Sequence, residues 1–443
     1  MLGEYRIEGR RASEIAASVE RAVGAGELQP GEVLPPLREL AVYLEVNPNT
    51  VAAAYRTLRD RGVIETAGRR GSRVRPRPPT TSREALRVEA PPGVRDASDG
   101  NPDPALLPPL ERALAEAAAR SARRPVLYGA SAVGDDLAAL ARSAFAADGV
   151  AEGPIAVTSG SLDAIERVLA AHLRPGDTVA VEDPGWGSLL DLIPALGLRP
   201  APVGVDEEGP LPEQLARALQ DGARAAVVTD RAQNPTGAAV SRDRATELRT
   251  LLAGYPGVLL IEDDHGHGIV DLPLHPLSGV TDHWALVRST AKAYGPDLRL
   301  AVLTGDPVTV DRVRGRQLLG PGWVSHLLQD AVAHLWRTSA IDPEEVAGAY
   351  GRRRDALIRA LAERGVRARG RSGMNVWVPV PDETGTVARL LHSGWAVAPG
   401  ARFRMHSPPG VRITVSGLSD DDIAPIADAV AAATGVGEAR RYE

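Results

Sequence analysis

A chain of 443 residues, 44% hydrophobic and 24% charged, has the composition of a soluble globular protein and length for two or three domains. It contains no cysteine, which excludes disulfides, thiolate metal sites and a cysteine nucleophile. Its formal charge of −6 is uneven: residues 1–78 hold 13 arginines against 10 acids (+3), leaving −9 for the rest, so a polyanionic partner fits the head alone.

The stretch Met1–Arg10 has no apolar secretion segment, and no run approaches eighteen uncharged apolar residues. A cytoplasmic protein without membrane contact is expected. Apolar residues at 12, 15, 16, 19, 22 and 23 predict a first helix over Ala12–Ala25. A turn-rich link leads to a short second helix, Leu37–Leu44, with Leu37, Leu40, Ala41 and Leu44 facing inward. Asn47 is placed to cap a third helix, with Pro48 at its first position, and Asn49–Arg61 then buries Val51, Ala54, Tyr55 and Leu58. Two short strands, 63–67 and 72–76, flank Gly68-Arg-Arg-Gly71. Helix, turn, helix and basic hairpin make a winged helix-turn-helix or, read blandly, a small packing module without nucleic acid. In the first reading Asn49, Thr50 and Arg56 face the major groove and Arg38 reaches a phosphate or base edge. Arg69, Arg70 and Arg73 of the wing meet phosphates or the minor groove.

Over residues 12–76 the chain resembles the GntR family of bacterial repressors, through Gly26–Ala41, Val46-Asn-Pro-Asn-Thr-Val51, Ala54-Tyr-Arg-Thr-Leu58 and Arg61-Gly-Val-Ile-Glu65. The resemblance implies double-stranded operator DNA as partner, with Arg38, Asn49, Thr50 and the wing glycines Gly68 and Gly71 near it. Residues 79–96 are proline-rich and charged without a sustained apolar period, and are expected to be a linker.

From residue 97 to about 436 short apolar runs alternate with helical segments: Ile155–Thr158, Thr178–Glu182, Ala225–Thr229, Val258–Glu262, Trp284–Arg288 and Arg299–Leu303. Strands apolar on both faces and separated by helices predict a largely parallel α/β sheet, with ligand chemistry at the strand C-terminal ends. A last portion, about 345–436, reads as a smaller α/β lobe: helices 348–363 and 420–433 and strands near 374–378, 395–398 and 411–415. Several strand ends carry chemistry. Ser159-Gly-Ser161 opens a helix and is either a turn or a phosphate clamp. Trp186 either stacks on an aromatic ligand or fills core space. Asn234 of Asn-Pro-Thr-Gly could donate to a phenolate oxygen. Glu262-Asp-Asp-His265 needs a positive partner for a buried carboxylate; a metal bound by Asp263, Asp264, His265 and His267 is disfavoured because no second ligand cluster accompanies them.

Of the 51 Lys and Arg residues one is a lysine, Lys292. Arginine can replace lysine wherever a charge suffices, but not where a primary amine must condense with an aldehyde. Lys292 follows Ser289 and Thr290 and precedes Gly295 and Arg299, the surroundings a pyridoxal phosphate Schiff base needs.

In this order the motifs resemble the class I/II aminotransferases of the fold-type I pyridoxal phosphate superfamily. The resemblance implies that Lys292 is the catalytic amine and forms the internal aldimine. It further implies that Asp263 pairs with the pyridine nitrogen, Asn234 bonds the phenolic oxygen and Trp186 stacks. Ser159, Gly160, Ser161, Ser289 and Arg299 hold the phosphate, and Arg412 clamps a carboxylate of the substrate or effector. Tyr128 reaches the phosphate in the other subunit of a homodimer. His265 stands where the family has a tyrosine, as second donor to the phenolic oxygen, and Asn375 where relatives often carry histidine. No metal is implied.

A GntR-like head on such a body resembles the MocR/GabR group of regulators, with Asp96–Pro109 most like its PtsJ/PdxR type, linked to vitamin B6 metabolism. The expectation is a DNA-binding regulator whose body binds pyridoxal 5′-phosphate and senses it or an amine or amino-acid effector. It is further expected to be a homodimer with exchanged heads. The alternative is a genuine aminotransferase acting on an amino acid.

Overall fold

The computed structural model describes residues 6–25, 27–60, 63–66, 71–74 and 82–435. The chain divides into two compact units, each with its own apolar core: the first takes residues 1–81 with the short segments 173–177 and 193–199, the second the remainder. In the first unit α1 (Ala12–Ala25), α2 (Leu37–Tyr43) and α3 (Pro48–Asp60) join Ile15, Val19, Leu40, Val51, Tyr55 and Leu58. The α3 residues Val51, Ala54, Tyr55 and Leu58 recur at three and four positions, so one face is buried and the other is left polar. Asn47 Oδ1 accepts the Asn49 N–H at 2.8 Å, and Pro48 starts the helix where no N–H is required. The Tyr55 hydroxyl donates to the Pro35 carbonyl at 2.8 Å and ties α3 to the turn before α2. An antiparallel wing follows, β1 (Ile64–Thr66) on β2 (Ser72–Val74), with Ile64 opposite Val74. Leu37, expected inward, is exposed: it is the first residue of α2, and the buried face begins at Leu40 and Ala41.

The second unit begins with β3 (Arg95–Ala97), α4 (Glu111–Arg123) and α5 (Asp135–Ala147). Then β4 (Ile155–Thr158), α6 (Ser161–His172), β5 (Thr178–Asp183), α7 (Gly187–Ala195), β6 (Arg199–Asp206), β7 (Gly209–Pro210), α8 (Pro212–Gln220), β8 (Ala223–Thr229), α9 (Arg242–Ala253) and β9 (Leu259–Asp264) alternate. They lead to β10 (His283–Ser289), the one-turn α10 (Ala291–Tyr294) and β11 (Ala301–Gly305). The eight strands lie in the order β4-β11-β10-β9-β8-β5-β6-β7. β5, β8, β9 and β10 run parallel, while β11 is antiparallel to both its neighbours. Every residue of β9 and β11 is buried, which is why these strands read as unbroken apolar runs until their polar ends.

After α11 (Pro307–Leu318) and α12 (His326–Arg337), α13 (Pro343–Glu363) leads into the smaller lobe. There β12 (Asn375–Pro379), α14 (Glu383–His392), β13 (Trp395–Pro399), β14 (Gly410–Thr414) and α15 (Asp420–Thr434) build a sheet ordered β12-β14-β13-β3. Two expectations change here. The stretch taken as linker, 79–96, belongs to the second unit from Ser82 onward: Arg83–Leu86 is a 3-10 turn, and Arg95 to Ala97 pair in parallel with Trp395 to Val397. The strand expected from Arg299 starts at Ala301, because Arg299 adopts a left-handed φ of 44° after the turn Pro296–Leu298. That conformation aims its side chain at the loop before α6 instead of into the sheet.

Candidate functional site

Strand ends β4, β5, β8, β9 and β10 open on one cavity of about 360 Å³, bordered by Gly160, Ser161, Trp186, Asn234, Asp263, His265, Ser289, Lys292, Arg299 and Arg412. At one end the N-terminus of α6 presents Gly160 and Ser161. The Ser161 hydroxyl is buried without a partner, and unpaired helix N–H groups favour an anion there. Gly160 has φ +96°, and a Cβ at this position would lie 3.3 Å from Arg299 Nη2. Only glycine gives both that backbone and that approach. Arg299 is steadied by the Ser159 carbonyl, which accepts from Nη2 at 3.3 Å, and the Ser289 hydroxyl accepts from the Ala291 N–H at 3.2 Å. Ser159 itself is exposed, donates its N–H to Asp163 at 2.9 Å and does not border the cavity.

At the far end Asp263, the penultimate residue of β9, is 2% exposed. Its Oδ2 meets His265 Nδ1 at 2.9 Å, while Oδ1 is buried with no partner. His265 Nε2 meets the Ala232 carbonyl at 2.8 Å. Both ring nitrogens therefore face acceptors, a carboxylate and a carbonyl, and only the doubly protonated imidazolium satisfies both. Burial opposes that charge, but Asp263 and the Ala232 carbonyl outweigh it and raise the His265 pKa. His265 thus supports Asp263 through Nδ1, in surroundings that favour its charged form. The expectation that it donates to a phenolic oxygen is corrected, because neither nitrogen is left to do so.

Lys292 lies between these ends. Its Nζ donates to the Gly100 carbonyl, and burial together with the Arg412 charge lowers its pKa to about 8. Arg412, in the centre of β14 and 2% exposed, donates through Nη1 to Asn234 Oδ1 at 3.0 Å and through Nη2 to the Ser98 carbonyl. Its Nε has no partner, and among the described residues no carboxylate pairs with it. Burial and the neighbouring Arg402 charge push the Arg412 pKa down to about 9. An anion in the cavity would relieve that cost. Because Asn234 Oδ1 is taken by Arg412, its amide N–H₂ is the group left for a ligand.

On the first unit Arg38, Asn49 and Arg56 are exposed and Thr50 is partly exposed, on the polar side of α2 and α3. Arg73, expected to reach DNA, donates through Nε to Glu65 Oε1 at 2.6 Å across the wing. Arg69 and Arg70 lie outside the described residues.

Comparison with known proteins follows the same division. Residues 11–74 match the model for bacterial regulatory proteins of the gntR family, and residues 99–430 match that for aminotransferase class I and II. This chain belongs to the GntR-type regulators that carry an aminotransferase class I and II domain. The vitamin B6 salvage pathway transcriptional repressor PtsJ of Salmonella typhimurium is 42% identical over 430 residues, covering 95% of this chain and 98% of that one. The pyridoxine biosynthesis transcriptional regulator PdxR of Corynebacterium glutamicum is 29% identical over 293 residues, 63% and 62% of the two chains. Aspartate aminotransferase from Thermus thermophilus with maleate superposes with a TM-score of 0.68 at 25% identity, covering 77% of this chain and 91% of that one. The GntR-type head is the DNA-binding part of such regulators, and among the described residues no helix is long and apolar enough to cross a membrane.

Within this regulator, sequence reasoning missed the groups that have no side-chain signature: the carbonyls of Ser98, Gly100 and Ala232, which hold Arg412, Lys292 and His265. Met374 and Asn375 also border the cavity. Asn375 Oδ1 accepts from the Thr414 hydroxyl at 3.0 Å. Tyr128, expected to act in the other subunit, does not border the cavity of its own chain; it is 95% exposed, its ring centroid 5.7 Å from that of Trp323 in an edge-on arrangement.

Proposed function

We propose that this regulator binds pyridoxal 5′-phosphate in its second unit and uses the bound state to set its affinity for operator DNA. The observation that carries this is chemical incompleteness around one amine. Asp263 Oδ1, Ser161 Oγ and Arg412 Nε are all buried, all without partners and all at the cavity that holds Lys292. Each such group costs about 1–3 kcal/mol unless a ligand completes it. Pyridoxal phosphate has a group for the first two, its ring nitrogen and its phosphate, the carboxylate of an amine ligand suits the third, and the cofactor supplies an aldehyde carbon that a primary amine can attack.

The chain's residues divide the work by position. Gly160, Ser161, Ser289 and Arg299 hold the phosphate at the α6 N-terminus. Asp263, backed by His265, keeps a proton on the ring nitrogen, and the Asn234 amide donates to the phenolic oxygen. Trp186 covers a ring face. Lys292, lowered to about 8, presents an appreciable neutral fraction as nucleophile near physiological pH. Arg412 would hold the carboxylate of an amine or amino acid at the same cavity, beside Lys292.

Similarity to a vitamin B6 salvage repressor, 42% identical over 98% of that protein, supports a role in vitamin B6 metabolism. DNA contact is assigned to Arg38, Asn49, Thr50 and Arg56 on the exposed side of α2 and α3. We assign the exposed Val126, Leu127 and Tyr128 to the face of a homodimer. Two recognition helices tolerate only certain half-site spacings, and a coupling of about 1–3 kcal/mol between effector and DNA suffices for roughly 5–150-fold regulation. Genome-wide capture of DNA by the purified protein, with and without pyridoxal phosphate, tests this. Fragments with paired half-sites whose occupancy changes with the cofactor are expected. Capture of no specific fragment, or occupancy indifferent to the cofactor, overturns it.

A further inference from the structure

A second cavity of about 230 Å³ shares Lys292, Asn234 and Arg412 with the first and is closed on its other side by Glu84, Arg402 and Phe403. Arg402 is 6% exposed. Its Nη2 donates to Glu84 Oε1 at 2.7 Å, and its Nη1 is buried without a partner. Arg402 and Arg412 share the Phe403 ring, their guanidinium carbons 5.4 and 4.8 Å from its centroid. Two buried cations thus border the same cavity, and only Arg402 has a carboxylate among the described residues. That carboxylate is weakly committed: the Glu84 side chain is 61% exposed, and such half-solvated pairs contribute little.

Glu84 lies in the turn Arg83–Leu86, the first stretch of the second unit after the residues that join it to the head. Arg83 pins that turn in place: its N–H donates to Asp191 at 2.7 Å, and its Nη1 to the carbonyls of Ala401 and Arg404 at 3.0 and 2.9 Å. Glu84 is therefore held in front of Arg402 by geometry, and not by a strong bond of its own.

We infer that Arg402 is the seat for a second anionic group of the effector, and that Glu84 occupies it until an amine bearing two anionic groups displaces it. The first anionic group goes to Arg412, as in the proposed function on which this inference rests, and the second takes the bidentate face Glu84 leaves. An effector with one carboxylate would fill the cavity without touching the segment that leads to the head. One with two would release Glu84 and loosen that segment. The shared chemistry is a second anion, carboxylate or phosphate.

The test uses the full-length protein loaded with pyridoxal phosphate, titrated with L-glutamate, O-phospho-L-serine and L-alanine. The cofactor's absorption is followed, together with amide hydrogen exchange of residues 82–87. Either acidic probe binds at least about tenfold more tightly than alanine, the stronger one naming the second group. Arg402→Gln collapses that ratio toward one, and Glu84→Gln raises it about two- to fivefold by removing the competitor. Exchange over residues 82–87 speeds up with the acidic probe and not with alanine. Equal affinities for all three probes, or a ratio that survives Arg402→Gln, overturns the inference. Failure to take up colour at all overturns the cofactor reading itself, and this inference with it.

Discussion

Two groups of buried arginines occupy the second unit, and they are finished differently. Behind the ends of β9 and β10, Arg231 grips both oxygens of Asp264 at 2.9–3.0 Å while Arg288 reaches Asp264 and Asp148. Burial raises the Asp264 pKa, but Arg231 and Arg288 outweigh it and leave the carboxyl at about 2. Beside the cavity, Arg412 meets an amide and a carbonyl, and Arg402 meets one half-exposed glutamate. A cluster that closes on its own counter-charges serves the fold. One left short of anions is prepared for a guest.

The contrast can be broken from either side. Asp264→Ala strips the buried Arg231 of its carboxylate and leaves Arg288 with Asp148 alone, and is expected to cost about 3–5 kcal/mol in denaturant unfolding. The Asp264 contribution is whole above the ordinary carboxylate value of 3.8 and is lost as pH falls through about 2. His265→Ala leaves Asp263 Oδ2 and the Ala232 carbonyl unpaired, about 1–3 kcal/mol in the same measurement. Because the His265 pKa is raised in the fold, that contribution is complete below the unfolded imidazole value and fades as pH climbs through the folded one. An imidazole whose ¹⁵N shifts report a neutral ring at pH 7 contradicts the assignment. Arg412→Leu should stay within about 1 kcal/mol of wild type or gain stability, since a buried charge without a counter-ion is removed. Its loss should show instead in titrations with carboxylated amines; a fall of several kcal/mol in stability would place Arg412 with the structural cluster.

A smaller effect sharpens the picture at Lys292. With its pKa at about 8, the neutral amine fraction is about tenfold higher at pH 9 than at pH 7, and the stopped-flow rate of pyridoxal phosphate capture should rise by that factor. Removing the Arg412 charge should move the midpoint upward. A flat profile, or one centred above pH 10, contradicts the burial argument.

Much of this arrangement was legible because its chemistry is carried by side chains at strand ends. Lys292, Asp263, Asn234, Ser161 and Arg412 each stand beside an apolar run or a capping signal, and the Asn47-Pro48 pair announced α3. What could not be read depends on backbone carbonyls or on partners far apart in the chain. His265 and Ala232 are 33 residues apart, Arg402 and Glu84 318. The short strand Arg95–Ala97 escaped notice because Ala97 is the one buried residue among its three. Its pairing with β13 is a tertiary fact, and without it the stretch has the composition of a linker. Arg73 was expected from its place in a basic wing to meet DNA, and its pairing with the cross-strand neighbour Glu65 is again a contact the linear order does not display.

The most direct test of the central claim is DNA affinity, on a fragment recovered by the protein itself, for wild type and Lys292→Ala with and without pyridoxal phosphate. The cofactor should shift the wild-type dissociation constant by roughly 5–150-fold and leave Lys292→Ala unmoved. The same affinity in all four cases would remove the cofactor from regulation and contradict the account.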